Sequence, residues 1–261
     1  MTVQPPIDAV TPVISRRLIA LEVIIVLAIS FGRSGVASIL QLIDKLTKPA
    51  PLSSQTTTMN PSLTPDRPWL DLAWQVYYFI LPAAEVALVI YLLHLAYGSA
   101  RRLIGFDLTH PWRDLAYGFG VCAAIGIPGL AFFLLAKQLG LNTNVVAAGL
   151  NDVWWAVPIL VCAAIVAGVS EETIMLGYLM TRLRTLNLAP GWIIVISAVI
   201  RGSYHLYQGW GGFLGNLVMG VVFAWLYLRW KRVMPLVVAH TLMDCFAFVG
   251  YAVIAPLVDW L

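Results

Sequence analysis

Apolar residues do not alternate with polar ones along this chain; they run in blocks long enough to cross a bilayer. A spanning helix needs about 20 mostly apolar residues. Seven segments meet that requirement: 18–43, 69–97, 114–136, 153–181, 190–207, 213–229 and 234–258. The first is interrupted by Arg33 within SFGRSG, which predicts a broken helix or a short span followed by a second piece. Residues 46–67 (LTKPAPLSSQTTTMNPSLTPDR) are rich in Pro, Ser and Thr and read as a long loop outside the membrane. The expected fold is all-α, a polytopic membrane helical bundle of about seven to eight transmembrane helices. Small residues four apart, Gly211 with Gly215 and Gly220 with Ala224, permit close helix approach in lipid.

Composition agrees with the pattern. The chain is 60% hydrophobic and only 11% charged, with a mean hydropathy of +0.84; a soluble domain has about 25% charged residues. So few charges cannot cover a water-facing surface of this size. The net charge of +3 leaves no footprint for nucleic acid. Placement of the charges says more than their sum. With the N-terminus cytoplasmic, the inside segments carry ten basic residues: Arg16, Arg17, Arg101, Arg102, Arg113, Arg182, Arg184, Arg229, Lys231 and Arg232. The outside segments carry four, Lys45, Lys48, Arg67 and Lys137. This bias predicts a multi-pass cell-membrane protein with its N-terminus in the cytoplasm and its C-terminus outside. No clear small-x-small cleavage site follows the run after Arg16–Arg17, so the first span reads as uncleaved. Cys122, Cys162 and Cys245 lie in apolar runs without C-x-x-C spacing and read as small buried hydrophobes.

Ionisable residues inside spans are functional candidates by default. Glu22, Asp71 and His94 lie near predicted span ends, where they can reach headgroups, and Glu85 reads as a packing or pairing residue. The others cluster late in the chain: Glu171 and Glu172 in the fourth span, Arg201 and His205 in the fifth, His240 and Asp244 in the seventh. His205 follows Arg201 by four residues, and Asp244 follows His240 by four, so each pair is expected to share a helix face. A carboxylate on the face of a histidine can orient its ring or act as a co-ligand. At about 1.5 Å per residue, His240 lies about 9 Å, Glu171 and Asp244 about 15 Å, and His205 about 22 Å from the cytoplasmic ends of their spans. Tilt, a helix break or a shifted boundary must close that spread if the groups are to meet. A carboxylate in low dielectric suits a general base. Two histidines and an acid suit metal ligation or oxyanion stabilisation. Both fit hydrolysis by an activated water. An ion-coupled transporter or a structural polar network would bury the same residue types.

The order of the motifs separates these readings. SEETIMLGYLMTRL, then SYHLYQG, then GNLVMGVVFAWLYLRWKRVMPLVVAHTLMD, together resemble the CPBP family of CAAX-processing and bacteriocin-processing (Abi) intramembrane proteases. The resemblance covers about residues 150–250, which suggests a protease-like core over 150–261 preceded by helices and loops without usable motifs over 1–149. Two positions depart from the family pattern E-E-x-x-x-R and F-x-x-x-H: Leu176 stands at the arginine and Arg201 at the phenylalanine. We expect Arg201 to replace the missing arginine, as an ion-pair partner of Glu171 or Glu172.

The resemblance implies an intramembrane endopeptidase, with its active-site cavity between the C-terminal helices. Glu171 would activate the attacking water and Glu172 share or support that role. His205, His240 and Asp244 would polarise the carbonyl, hold the water or bind a metal. No cofactor is required; zinc held by His205, His240 and Asp244 is the alternative. The implied partner is a membrane-associated peptide or protein substrate. A non-catalytic membrane scaffold and a bacteriocin self-immunity protein are the competing functions, and an ion-coupled transporter comes after them. Tyr204, Tyr207 and Gln208 flank His205; they could bond a peptide, but read foremost as interfacial anchors.

Overall fold

The apolar blocks fold as helices because a helix satisfies its own backbone where no water can. The computed structural model describes residues 15–254 and 257. In chain order the elements are α1 (Arg16–Ile29), α2 (Phe31–Leu46), β1 (Thr56–Thr58), α3 (Pro68–Tyr97), α4 (Ala100–Ile104) and α5 (Pro111–Gln138). Then follow β2 (Asn144–Val146), α6 (Ala156–Thr185), α7 (Pro190–Ser203), α8 (Trp210–Trp230) and α9 (Met234–Ile254). The bundle is all-α as expected. The exception is a two-stranded parallel ladder that pairs Thr56, Thr57 and Thr58 with Asn144, Val145 and Val146. That ladder ties the loop at 46–67 to the loop after α5, a long-range pairing that the loop's composition did not signal.

By length and composition, α3, α5, α6, α8 and α9 can each cross a membrane, and α1 with α2, joined at a 51° bend, make a sixth where the pair is counted as one span. The bend is the break expected around Arg33. Ser30 leaves the helical region at φ −113° and ψ −126°, and its hydroxyl donates to the Val26 carbonyl at 2.7 Å. This closes α1 before α2 begins.

The fifth predicted span, 190–207, is corrected. Its helix ends at Ser203, and the chain continues through a 3-10 turn at Leu206–Gln208 to Gly209, whose φ of +113° suits glycine. Arg201 and His205 therefore do not share a helix face. At 14 residues, α7 is about 21 Å long, short of a bilayer core.

The chain nonetheless passes through the bundle at this point, because the loops gather at two ends. At one end, the Thr143 amide donates to the Gln208 carbonyl and the Trp210 amide to that of Leu141, both at 2.9 Å. There too the Lys45 ammonium bonds Thr57 Oγ1 and the Tyr207 carbonyl. At the other end, the Val233 amide donates to the Ile104 carbonyl at 2.9 Å, and Tyr97 meets Thr185 at 2.5 Å. Helix α7 and the turn after it join the two ends.

Two residues assigned to headgroups are instead anchors within the protein, Glu22 partly buried and Asp71 fully so. Glu22 accepts from Arg182 Nε at 2.8 Å and Nη2 at 3.0 Å, and from the Tyr178 hydroxyl at 2.8 Å, fastening α1 to α6. Asp71, in the first turn of α3, accepts from Ser62 Oγ at 2.7 Å and from the Leu63 amide at 2.7 Å, fixing the loop before it. Both were misplaced because a helix end in sequence is not an exposed position once loops fold over it.

At the basic end, Arg232 holds Asp114 at 2.6 Å and Asp107 at 3.1 Å. Burial by itself would raise the Asp107 carboxyl; the Thr109 hydroxyl and amide and then Arg232 outweigh it, bringing it from 3.8 to about 2. A carboxyl lowered on folding stabilises the fold above its unfolded value and loses that contribution as pH falls through its folded value. Wild type is therefore expected to lose thermal stability relative to Asp107→Asn as pH is lowered from about 4 towards about 2. Parallel unfolding curves in detergent across that range would contradict it.

Close approach of α9 to α6 sets the site. A Cβ at Gly168 would lie 2.5 Å from Thr241 Oγ1 and 3.0 Å from the Thr241 amide, so only a glycine allows this contact. Gly168→Val is expected to push α9 outward by about a methyl radius and destabilise by about 1–3 kcal/mol, as overpacking does. The check is a lowered melting temperature in detergent; an unchanged one would mean that the helices part freely.

Candidate active site

The two glutamates fall at a change of helix type. Glu171 ends the α-helical part of α6, and Glu172 begins a wider π-helical stretch, Glu172–Met180. All nine residues of that stretch are buried. The wider winding frees carbonyl groups, and Ser197 Oγ on α7 donates to that of Met175 at 3.3 Å. π-helical turns of this kind concentrate at functional sites.

Glu172 is turned into protein. It is fully buried, and both its oxygens lie 2.7 Å from Arg201 Nη2. His240 Nδ1 reaches Oε1 of the same carboxylate at 2.6 Å. The other ring nitrogen of His240 faces Asp244 Oδ2 at 3.5 Å. So the arginine on α7 faces the second glutamate, and the histidine and aspartate of α9 continue the polar chain. The Arg201 guanidinium also packs over the Phe223 ring, 5.4 Å from its centroid. Leu176, at the family's arginine position, is fully buried in the apolar core.

Glu171 points elsewhere. Its Oε2 accepts from the Tyr204 hydroxyl at 2.7 Å and lies 3.6 Å from Arg201 Nη1. It lines a cavity of about 310 Å³ together with Phe31, Ser34, Ala37, Ser38, Gln41, Tyr204, His205 and Tyr207. A water occupies about 30 Å³ of liquid, so the cavity has room for several waters beside the Glu171 carboxylate. His205 sits between the rings of Tyr204 and Tyr207, with centroids at 4.8 and 6.2 Å. Both its ring nitrogens are buried without a hydrogen-bond partner among the described residues. Buried polar atoms left unpaired stand out, since most are satisfied. These two are on the wall of a cavity that also holds a carboxylate.

The depth spread is thus resolved by boundaries and a break. Helix α6 continues to Thr185, and His205 belongs to a turn, which can fold back in a way that a straight helix cannot. Tyr204 was read foremost as an interfacial anchor; it is instead 5% exposed and bonded to Glu171. Tyr204→Phe is expected to destabilise the fold by about 1.5–3 kcal/mol, the worth of a bond to a charged group, read as a lowered melting temperature in detergent. An unchanged melting temperature would mean that the bond to Glu171 contributes nothing to the fold. The cavity also adds α2 to the C-terminal helices. Ser34, Ser38, Gln41 and Lys45 repeat at intervals of four, three and four along α2, a polar face legible in the sequence but not singled out.

The donors suit a metal poorly. Glu171, Glu172 and His240 each offer an atom, all within 4.8 Å of one another. Both oxygens of Glu172 and both nitrogens of His240 are already engaged, and the Arg201 guanidinium sits against the group. A zinc ligand histidine must be neutral with a free lone pair. His205 and Asp244, also named as ligands with His240, lie outside this cluster.

Comparison with known proteins adds one match. No curated protein and no solved structure matches the chain. A family model described as "Type II CAAX prenyl endopeptidase Rce1-like" matches residues 152–246. That segment, about a third of the chain, holds Glu171, Glu172, Arg201, His205, His240 and Asp244, and it coincides with the motifs that resemble the CPBP/CAAX-protease family.

Proposed function

We propose that the protein is an intramembrane endopeptidase in which Glu171 activates a water to hydrolyse a peptide bond. The observation that carries this reading is a division of labour between adjacent glutamates. Glu172 is locked by Arg201 and His240, while Glu171 faces a cavity beside an unpaired histidine. A scaffold needs no such cavity, and a structural polar network would have satisfied His205.

Glu171 takes a proton from water as the oxygen attacks the scissile carbonyl. His205, donating from one ring nitrogen, bonds the oxyanion of the tetrahedral intermediate. Glu171 then returns the proton to the leaving nitrogen as the C–N bond breaks, so that water is added across the bond and no redox partner is required. Tyr204 and Arg201 orient the Glu171 carboxylate before attack. Glu172, His240 and Asp244 act as positioning residues that fix Arg201 and hence the geometry of α6 against α7. No step is routed through a metal, since the donors that cluster here are already paired.

The bias of basic residues towards the α4 and α8–α9 end, with Arg16 and Arg17, supports a cytoplasmic position for that end and the N-terminus. The substrate is a membrane-associated peptide or protein. The test is cleavage of membrane-peptide substrates by purified protein in detergent, comparing wild type with Glu171→Gln. Glu171-dependent cleavage is expected; substrate turnover that survives the substitution, or none by wild type, would overturn the reading.

A further inference from the structure

We infer that the cavity is loaded from the extracytoplasmic half of the membrane, so that the substrate is the outward-facing part of a membrane-anchored peptide or protein. This deepens the protease reading and rests on it, and on the charge asymmetry that orients the bundle. The cavity has a defined position along the helices. Its α2 wall runs from Phe31 to Gln41. Gln41 is five residues from the Leu46 end of α2, about 7.5 Å, and Phe31 is about 22 Å from it. Glu171 lies 15 residues from Ala156, again about 22 Å. The third wall, Tyr204, His205 and Tyr207, is the turn whose carbonyl at Tyr207 binds Lys45 and whose next residue binds Thr143. The cavity therefore extends from mid-membrane towards the end formed by residues 47–67, 139–155 and 204–209.

The opposite direction is closed. Below Glu171 lie the nine buried residues of the π-helical stretch. Ile104, Leu183, Val233 and Leu236 pack with it as one apolar core, all 6% exposed or less. That plug points to the end carrying Arg101, Arg102, Arg184, Arg229, Lys231 and Arg232. By the bias of basic residues towards the cytoplasm this is the inner face, so the closed side is cytoplasmic and the open side external. The open side is also the polar one. Ser34 and Gln41 offer a hydroxyl and an amide along α2, where the backbone of an extended peptide needs partners in place of water. Ala37 and Gln41 are exposed, which sets the mouth on the flank of α2. A C-terminal motif displayed only on the cytoplasmic surface is out of reach of Glu171 in this geometry.

The experiment has two arms. In a cysteine-free background (Cys122, Cys162 and Cys245 each →Ala), Gln41→Cys at the mouth, Leu63→Cys in the 47–67 loop and Leu108→Cys in the 98–110 loop are treated with a membrane-impermeant maleimide on intact cells. Gln41→Cys and Leu63→Cys are expected to label before permeabilisation, and Leu108→Cys only after it. Labelling of Leu108→Cys on intact cells, or of Gln41→Cys only after permeabilisation, overturns the inference whatever the catalytic activity. In the second arm, single-span substrates carry a cleavable segment on the outer or the inner side of the span. Loss of the outer segment only, dependent on Glu171, supports the inference; loss of the inner segment only overturns it and leaves the protease reading intact. Loss of neither overturns the protease reading, and with it the substrate assignment, while the labelling still reports which face the cavity opens to.

Discussion

Glu171→Gln is expected to lower the rate of peptide cleavage by a factor of about 10²–10⁴, the usual contribution of a positioned general base. The substitution keeps the shape of the side chain and an oxygen for the Tyr204 hydroxyl, which lies 2.7 Å from Oε2 in the wild type. The protein is therefore expected to fold, and the loss should appear in kcat with KM nearly unchanged. Its neighbour provides the internal contrast. Glu172→Gln removes a charge that holds both Arg201 and His240, so it should lower the melting temperature in detergent before it says anything about chemistry. Single-turnover cleavage and thermal unfolding on the same samples separate the two. If Glu172→Gln kept its stability and lost activity while Glu171→Gln remained active, the roles assigned to the pair would be exchanged.

Arg201→Met is expected to be the most destabilising single change at the site. The guanidinium is fully buried, and its Nη2 is 2.7 Å from both oxygens of a carboxylate that is equally buried. Removing one member of such a pair leaves the other uncompensated, at a cost of about 3–5 kcal/mol. Against a total stability of about 5–15 kcal/mol, that is enough to deplete the folded protein from membranes. Two rescues discriminate between pairing and packing. Exchanging the charges, Arg201→Glu with Glu172→Arg, sets an arginine against His240 and should recover little. Moving the arginine to the family position, Leu176→Arg with Arg201→Phe, should recover more, because residue 176 follows Glu172 by four and shares its helix face. If Arg201→Met were as abundant and as heat-stable as wild type, the ion pair would not be what makes two adjacent glutamates tolerable here. If neither double variant improved on its single parent, the loss would come from packing on Phe223 and Gly220. Gly220 is packed tightly enough that an added Cβ would sit 3.2 Å from Arg201 Cδ.

Much of this was legible in the chain itself. Blocks of apolar residues announced a membrane bundle, and Arg33 among small residues announced the bend in the first span. The pairing of an arginine with a glutamate on the preceding span followed from a single exchange between two motif positions, Leu176 and Arg201. Spacing also gave the α9 relation, since residues four apart on a continuous helix must share a face, as His240 and Asp244 do.

Other features depended on where helices stop and how they approach, and these are decided by tertiary contacts. The same four-residue spacing failed for Arg201 and His205, because α7 ends at Ser203 once the following turn bonds to the loop after α5. Glu22 and Asp71 lay at span ends in sequence, yet loops and neighbouring helices bury them. Tyr204 carried no more signal than any aromatic residue near a membrane boundary until the fold set its hydroxyl on Glu171. Two adjacent glutamates of identical chemistry could not be ranked from sequence. The sequence alone determined that charge would be buried at this place in the membrane, because each acidic residue in an apolar run needs a partner. Only the tertiary structure decided which glutamate is neutralised and which is left facing a cavity, because that depends on the direction from which α7 and α9 reach α6.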